Sequence, residues 1–237
     1  FSANAIGFAH VYPRLTPLVR EGELIVGARR RDPDGRHLVG WIPDGTISYV
    51  EGFARNAPPD RPDLQAIAQR GLLSPQGSFN HKVVDWPALL HVGCRALAAR
   101  ARDIAAQRTG AERDFALAFA LGHDTLIAHA QTYASVCCAL AQDAAPDRAA
   151  ELRELARICA KVPAEPAETF HEAVQSLWFG YMAAGDGVGR PDVYLREFYE
   201  RDLATGRITP ERAQELIECL LIKIHADLEI LGVLVDD

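Results

Sequence analysis

The stretch Glu165 to Asp202, EPAETFHEAVQSLWFGYMAAGDGVGRPDVYLREFYERD, constrains the fold more than any other part of this chain. Thr169 followed three residues later by Glu172 is a capping box, in which hydroxyl and carboxylate each take a backbone N–H of the first turn. Pro163 and Pro166 lie upstream, where a missing N–H costs a helix nothing. Phe170, Val174, Leu177, Trp178, Tyr181 and Met182 recur at steps of three and four, which predicts one apolar helix face. Gly185 and Gly187 end the pattern. Gly-Asp-Gly-Val-Gly then allows a sharp turn or a close backbone approach, and reads either as the edge of a site or as a plain helix terminator. Arg190, Asp192 and Tyr194 follow in a short polar and aromatic run.

The remaining helices are legible in the same way. Leu89, Leu90, Leu97, Ala101 and Ile104 predict a helix from Asp85 to about Gln107. Phe115, Phe119, Leu126, Tyr133, Cys137 and Leu140 predict a long one over 111–142, with a soft point at Gly122. Asp147 is expected to cap a helix running through Lys161, with Leu152, Leu155, Ile158, Cys159 and Val162 inward. Thr209-Pro210 supplies an N-cap with proline at the first helical position. Ala213, Leu216, Ile217, Leu220, Leu221 and Ile224 then follow at helical spacing. Ahead of Asp85 the pattern is different. Ala9 to Arg20 is a lead-in broken by Pro13 and Pro17, and Glu23 to Gly27 is a buried strand or extended segment. Leu38–Trp41 and Thr46–Val50 are strand candidates around a Pro-Asp-Gly turn. Asp60 caps a short helix to about Leu73, and Leu228 to Val235 is strand-like.

The 237 residues are 49% hydrophobic, enough for a packed core, and carry a net charge of −7, which argues against a nucleic-acid surface. No apolar run reaches the length of a membrane span. Five cysteines without metal-ligand spacing or an even framework point to a reducing, cytoplasmic setting. The chain opens on Phe1 rather than Met, which leaves the natural N-terminus open.

Several constellations invite a chemical reading. Cys137 and Cys138 are neighbours about 100° apart on a helix and cannot form an ordinary disulfide there; Cys137 continues the apolar face. His123 and His129 lack the i, i+4 spacing of a zinc helix. His171, in the first turn of the central helix, is expected at the surface. No catalytic machine is displayed by these residues, and none is assigned as a catalytic residue or metal ligand.

The order of segments, however, resembles a family. Glu21-Gly-Glu-Leu-Ile-Val-Gly27, Gly71-Leu-Leu-Ser-Pro-Gln-Gly77, Asn80-His81 with Asp85, and Pro163 to Phe179 come first. Gly189-Arg190-x-Asp192-x-Tyr194 and Phe198-Tyr199-x-x-Asp202-Leu-x-x-Gly206-x-Ile-Thr209 follow. In this order they resemble the N-terminal part of a glycyl radical enzyme of the pyruvate formate-lyase type. The resemblance implies a mainly α chain with short strands, the beginning of a ten-stranded α/β barrel wrapped in helices. Residues 1–237 would be a partial domain, with a strand- and loop-rich lead-in at 1–80 and a helical part with early barrel strands at 81–237.

It further implies anaerobic lyase, dehydratase or formate acetyltransferase-like chemistry. A glycyl radical, installed by a separate radical-SAM activating enzyme, passes to a thiyl that cleaves a C–C, C–O or C–N bond of a small substrate. A homodimer is the usual assembly. The cysteine loop and the radical glycine are expected beyond Asp237. Cys137-Cys138 falls in the wrong place in the order to be the paired cysteines of the formate-lyase branch, and Pro191 stands where an aromatic or aliphatic residue is common.

His81, Arg190, Asp192 and Tyr194 are the substrate-cavity candidates. His81 is alternatively a loop histidine with a structural hydrogen bond. Arg190 and Asp192 are alternatively an internal salt bridge that fixes a barrel strand. A non-catalytic, mainly helical paralogue or interaction module is the second reading of the whole chain.

Overall fold

The computed structural model describes residues 2–12, 17–27, 83–184 and 187–228. His81, the strand candidates at 38–41 and 46–50, the helix after Asp60 and the segment 229–235 lie outside these residues. Nine helices run through the described part: α1 (Ser2–Val11), α2 (Trp86–His91), α3 (Cys94–Ala106), α4 (Gly110–Leu140), α5 (Pro146–Lys161), α6 (Phe170–Ala184), α7 (Pro191–Tyr194), α8 (Arg196–Ala204) and α9 (Pro210–Leu228). No strand occurs among the described residues. Glu23 to Gly27 is irregular, with a bend at Leu24 and Ile25, and is buried from Leu24 onward; it forms no ladder among the described residues, so the expected strand or extended segment is corrected. Leu228, expected to begin a strand, is the last residue of α9.

The architecture is arranged around α6, which packs against α2, α4, α5, α8 and α9. The sequence predicts one apolar face for this helix, but burial is continuous from Glu172 through Met182. Glu172, Gln175 and Ser176 are enclosed with the apolar residues. A helix covered on all sides must satisfy its polar groups inside the protein.

Its N-terminus shows how. Thr169 Oγ1 accepts the Glu172 N–H at 3.1 Å, and Glu172 Oε2 accepts the N–H groups of Thr169 (3.3 Å) and Glu168 (2.8 Å), so the capping box forms as read. Asp202, from α8, takes the Phe170 N–H at 2.7 Å. Three N–H groups that the helix cannot satisfy internally, those of Thr169, Phe170 and Glu172, thus meet side chains, as does the Glu168 N–H before them.

Glu172 also accepts from Arg157 Nη1 at 2.7 Å and Lys161 Nζ at 2.9 Å, both on α5. Burial pushes its carboxyl up, but the Glu168 N–H and the two cations outweigh burial and hold it below the usual value of 4.5. A depressed carboxyl stabilises the fold fully above its unfolded pKa, and that stability is lost as pH falls through the folded value. Melting temperature followed from pH 7 to pH 3 is therefore expected to drop below about pH 4.5. In Glu172→Gln the drop is expected to be shallower, with about 2 kcal/mol already lost at neutral pH. An unchanged acid profile would show that Glu172 does not titrate as described.

Two of the predicted helix boundaries move. The helix expected over Asp85–Gln107 is interrupted at Gly93, which adopts φ 79° and ψ 156°. Behind it, the N–H groups of Cys94 and Arg95 donate to the carbonyls of Pro163 (2.8 Å) and Ala164 (3.0 Å). The new helix start is satisfied by a segment distant in sequence, which periodicity cannot report. At α5 the cap is Ala145 with Pro146 at the first helical position; Asp147 lies in the first turn, where its charge suits the helix dipole. Thr209 caps α9 as expected, accepting the Arg212 N–H at 3.2 Å.

The long helix α4 runs uninterrupted through Gly122. Its predicted inward face is corrected in part, because Phe115, Phe119 and Leu140 are exposed. Near Phe115 and Phe119 the seam with α3 is filled by Ala98, Ala101 and Ala120 rather than by the rings. Among the described residues no helix is long and apolar enough to cross a membrane.

Candidate functional site

The polar run after the glycine turn does not form a strand. Arg190 is the N-cap of α7, and Pro191, Asp192, Val193 and Tyr194 are its four residues. Proline at the first helical position and Asp192 in the first turn both suit a helix start. The idea that Arg190 and Asp192 brace a barrel strand is corrected accordingly. They do pair: Arg190 Nε and Nη2 donate to the two Asp192 oxygens at 2.9 and 2.7 Å. Both side chains are more than half exposed, so this ion pair adds little stability and leaves the guanidinium and the carboxylate open to solvent.

Tyr194 is different. Its hydroxyl is buried and has no hydrogen-bond partner among the described residues. Burial and the charge of Asp192 both hold the phenol well above its ordinary range, so it remains a neutral donor. Its ring lies 5.9 Å from that of Trp86, the first residue of α2. Trp86 is 2% exposed, and its indole Nε1–H also has no partner among the described residues. The indole is seated on α6 at Gly180, where an added Cβ would be 2.9 Å from Cζ3, and it also borders Gly189. The structure therefore joins Tyr194 to Trp86 and to the glycine turn, with Val83 beside it.

An unmatched buried N–H or O–H costs free energy, so two together mark a place where further polar groups are expected. Trp86 was missed because a tryptophan after a helix cap reads as core, and nothing local shows that its N–H lacks a partner. His81 lies outside the described residues.

The other titratable groups of interest have closed surroundings. His123 Nδ1 is 3.2 Å from Cys94 Sγ, while His129 sits among the rings of Tyr12, Tyr133 and Phe179. Burial lowers His129 to about 4, so it is neutral at physiological pH. His171 is corrected from the surface to a half-buried position, with Nε2 2.7 Å from the Leu24 carbonyl. The thiols of Cys94, Cys137 and Cys159 are enclosed within helices, and burial pushes Cys94 up to about 12 and Cys137 to about 11. A thiol that must meet a substrate needs an open side, and these three are 0–1% exposed. No group of three or more His, Cys, Asp or Glu among the described residues is placed to hold a metal ion.

A family model described as pyruvate formate lyase-like matches residues 65–229. The chain belongs to the glycyl radical enzyme family. Isethionate sulfite-lyase of Nitratidesulfovibrio vulgaris is 36% identical over 179 residues, which is 68% of this chain and 22% of that protein. Trans-4-hydroxy-L-proline dehydratase of Clostridioides difficile is 32% identical over 117 residues, 46% of this chain and 15% of that one. Among solved structures, a glycyl radical enzyme from Archaeoglobus fulgidus superposes with a TM-score of 0.73 at 26% identity, covering 92% of this chain and 34% of that one. The substrate-bound hydroxyproline dehydratase of Clostridioides difficile gives 0.74 over 94% of this chain. At 23% identity that likeness speaks for the fold alone. The chain of 237 residues thus spans about a fifth of the first curated relatives and a third of these solved structures. Family members carry a glycyl radical.

Proposed function

We propose that these residues are the N-terminal scaffold of an anaerobic glycyl radical enzyme that cleaves a C–C, C–O or C–N bond of a small molecule through a thiyl radical. The reading rests on the match to isethionate sulfite-lyase, 36% identity confined to 22% of that protein's length. The reacting cysteine and the radical glycine belong to sequence outside these residues. The matched relatives bear the names of a sulfite-lyase, a dehydratase and a decarboxylase, which together support lyase chemistry on a small substrate. A radical-SAM activating enzyme installs the radical, and a homodimer is the working assembly.

In this scheme the chain contributes one wall of the substrate cavity. Tyr194 supplies a neutral hydroxyl, and Arg190 and Asp192 supply charges at its rim. His81 is assigned to the same wall from the family order alone. The Tyr194 hydroxyl has no hydrogen-bond partner among the described residues, which supports this placement, and a substrate that reaches it first displaces what covers it. Removing a hydroxyl that binds nothing among the described residues should leave their packing intact. Tyr194→Phe is therefore expected to leave the melting temperature of the 237-residue protein within about 2 °C of the parent. The same change in the activated full-length enzyme is expected to lower turnover at least tenfold. Equal turnover in the two enzymes would remove Tyr194 from the cavity.

The central test uses the complete reading frame of the gene, expressed and activated under anaerobic conditions with a radical-SAM activase. A doublet in the EPR spectrum, assigned to a glycyl radical, is the expected result. A complete gene product of this size, folded and silent in EPR, would instead mark an interaction module.

A further inference from the structure

Residues 20–27 are held in an unusual manner for a segment of a helical protein. They form no helix, and pair with no strand among the described residues. Their local bonds are few, chiefly Glu23 N–H to the Arg20 carbonyl and Arg20 N–H to the Glu23 carboxylate. Almost everything else that holds their backbone comes from side chains of distant helices.

Gln175 of α6 reads Val26 with both ends of its amide. Oε1 accepts the Val26 N–H and Nε2 donates to the Val26 carbonyl, each at 2.9 Å. The carbonyl of Gly27 receives Trp178 Nε1–H at 3.1 Å and Lys223 Nζ at 2.8 Å. His171 meets the Leu24 carbonyl, and Arg148 of α5 donates to the carbonyls of Glu23 (2.9 Å) and Arg20 (3.0 Å). Among the described residues one contact from a distant helix addresses a side chain by charge, the largely buried pair of Lys223 with Glu23 at 2.8 Å. The side chains of Leu24, Ile25 and Val26 are apolar and buried. Recognition of backbone by fixed donors and acceptors, with apolar side chains filling space and one ion pair setting direction, is the chemistry of a peptide-binding groove.

The C-terminal end of the groove is selective as well. Gly27 has φ 120°, and an added Cβ would lie 2.7 Å from both Met182 Cε and Trp178 Nε1. The position admits glycine alone without displacement of its neighbours.

We infer that Arg148, His171, Gln175, Trp178 and Lys223 form a peptide-recognition site, that its ligand is an acidic–aliphatic–glycine segment led in by a turn, and that residues 20–27 occupy it as a ligand that a separate peptide of the same sequence can replace. The inference does not depend on any radical chemistry.

The test uses the whole chain. Val26→Pro removes the N–H that Gln175 accepts and places a ring in a fully buried position, so the resident segment is unseated. A fluorescein-labelled peptide of residues 17–27, acetylated and amidated, is titrated against native and V26P chains by anisotropy. The V26P chain is expected to bind it at least tenfold more tightly than the native chain, whose groove is filled. A peptide carrying Gly27→Ala is expected to bind neither. If V26P costs the chain its helical circular dichroism, recovery of that signal on adding the native peptide supports the site equally. Three results overturn it: no binding to a folded V26P chain, equal binding to both chains, or an unfolded V26P chain that the peptide does not restore.

Discussion

Gly93→Ala is expected to cost about 3–5 kcal/mol and to lower the melting temperature by about 10 °C or more. Gly93 stands between α2 and α3 with φ 79° and ψ 156°, a region of backbone space that L side chains rarely enter. Conformation is only half of the penalty. A Cβ there would lie 2.7 Å from the Ala164 carbonyl oxygen and 2.7 Å from the Glu165 carbonyl carbon. Both are backbone atoms and cannot rotate away. They belong to the segment whose carbonyls accept the first N–H groups of α3 and whose Ala167 N–H donates to Leu90 at 2.9 Å. Relief of the clash would break these bonds. Gly122→Ala is the matching control, since that glycine lies inside α4 with open space around it. There alanine is expected to raise stability by up to about 1 kcal/mol. Chemical denaturation of the two variants beside the parent checks both values. Equal stability of Gly93→Ala and the parent would show that the joint between α2 and α3 is looser than described.

The second large effect is expected at Gln175→Leu, a change of similar volume at a side chain with 0% exposure. Leucine fills the space but leaves the N–H and the carbonyl of Val26 buried without partners. Each such group costs about 1–3 kcal/mol, so a loss of about 3–5 kcal/mol follows. Detachment of the segment is the alternative relaxation, and it exposes Leu24, Ile25 and Val26 to water. Hydrogen exchange distinguishes these responses from a general loss of stability. The Val26 amide is expected to lose its protection while amides in the middle of α4 keep theirs. A loss under 1 kcal/mol with Val26 still protected would show that Gln175 is not what holds the segment.

The two variants probe different kinds of information. Much of the helical framework is legible in the residues because its causes are local. A capping box spans three residues, and Thr169 with Glu172 forms one; Thr209 before Pro210 caps α9 in the same way. Helical periodicity finds Leu152, Leu155 and Ile158 for the same reason, and all three are buried on α5. The pairing of Arg190 with Asp192 also lies within reach of sequence, two residues apart at the start of a helix. The order of motifs carried the family, and a match over residues 65–229 agrees with it.

What sequence could not supply depends on partners far along the chain. His171 reads as a surface residue until the Leu24 carbonyl is placed against it, 147 residues away. Gln175 reads as a polar residue on an apolar helix until Val26 arrives from 149 residues upstream. Phe115 and Phe119 share the spacing of an inward face, yet α3 meets α4 through alanines and leaves both exposed. Trp86 and Tyr194 face each other across a turn that no periodicity describes.

The stretch Glu165–Asp202 holds both kinds. Its own residues determined where α6 begins, because a helix start is settled by hydrogen bonds that reach only to the next turn. Tertiary structure alone decided that α6 is enclosed on every side, that the run after the glycine turn is a short helix, and that the Tyr194 hydroxyl is buried beside Trp86 without a described partner. Burial is a property of what packs against a residue, and the packing partners of α6 come from five other helices and from a segment near the N-terminus.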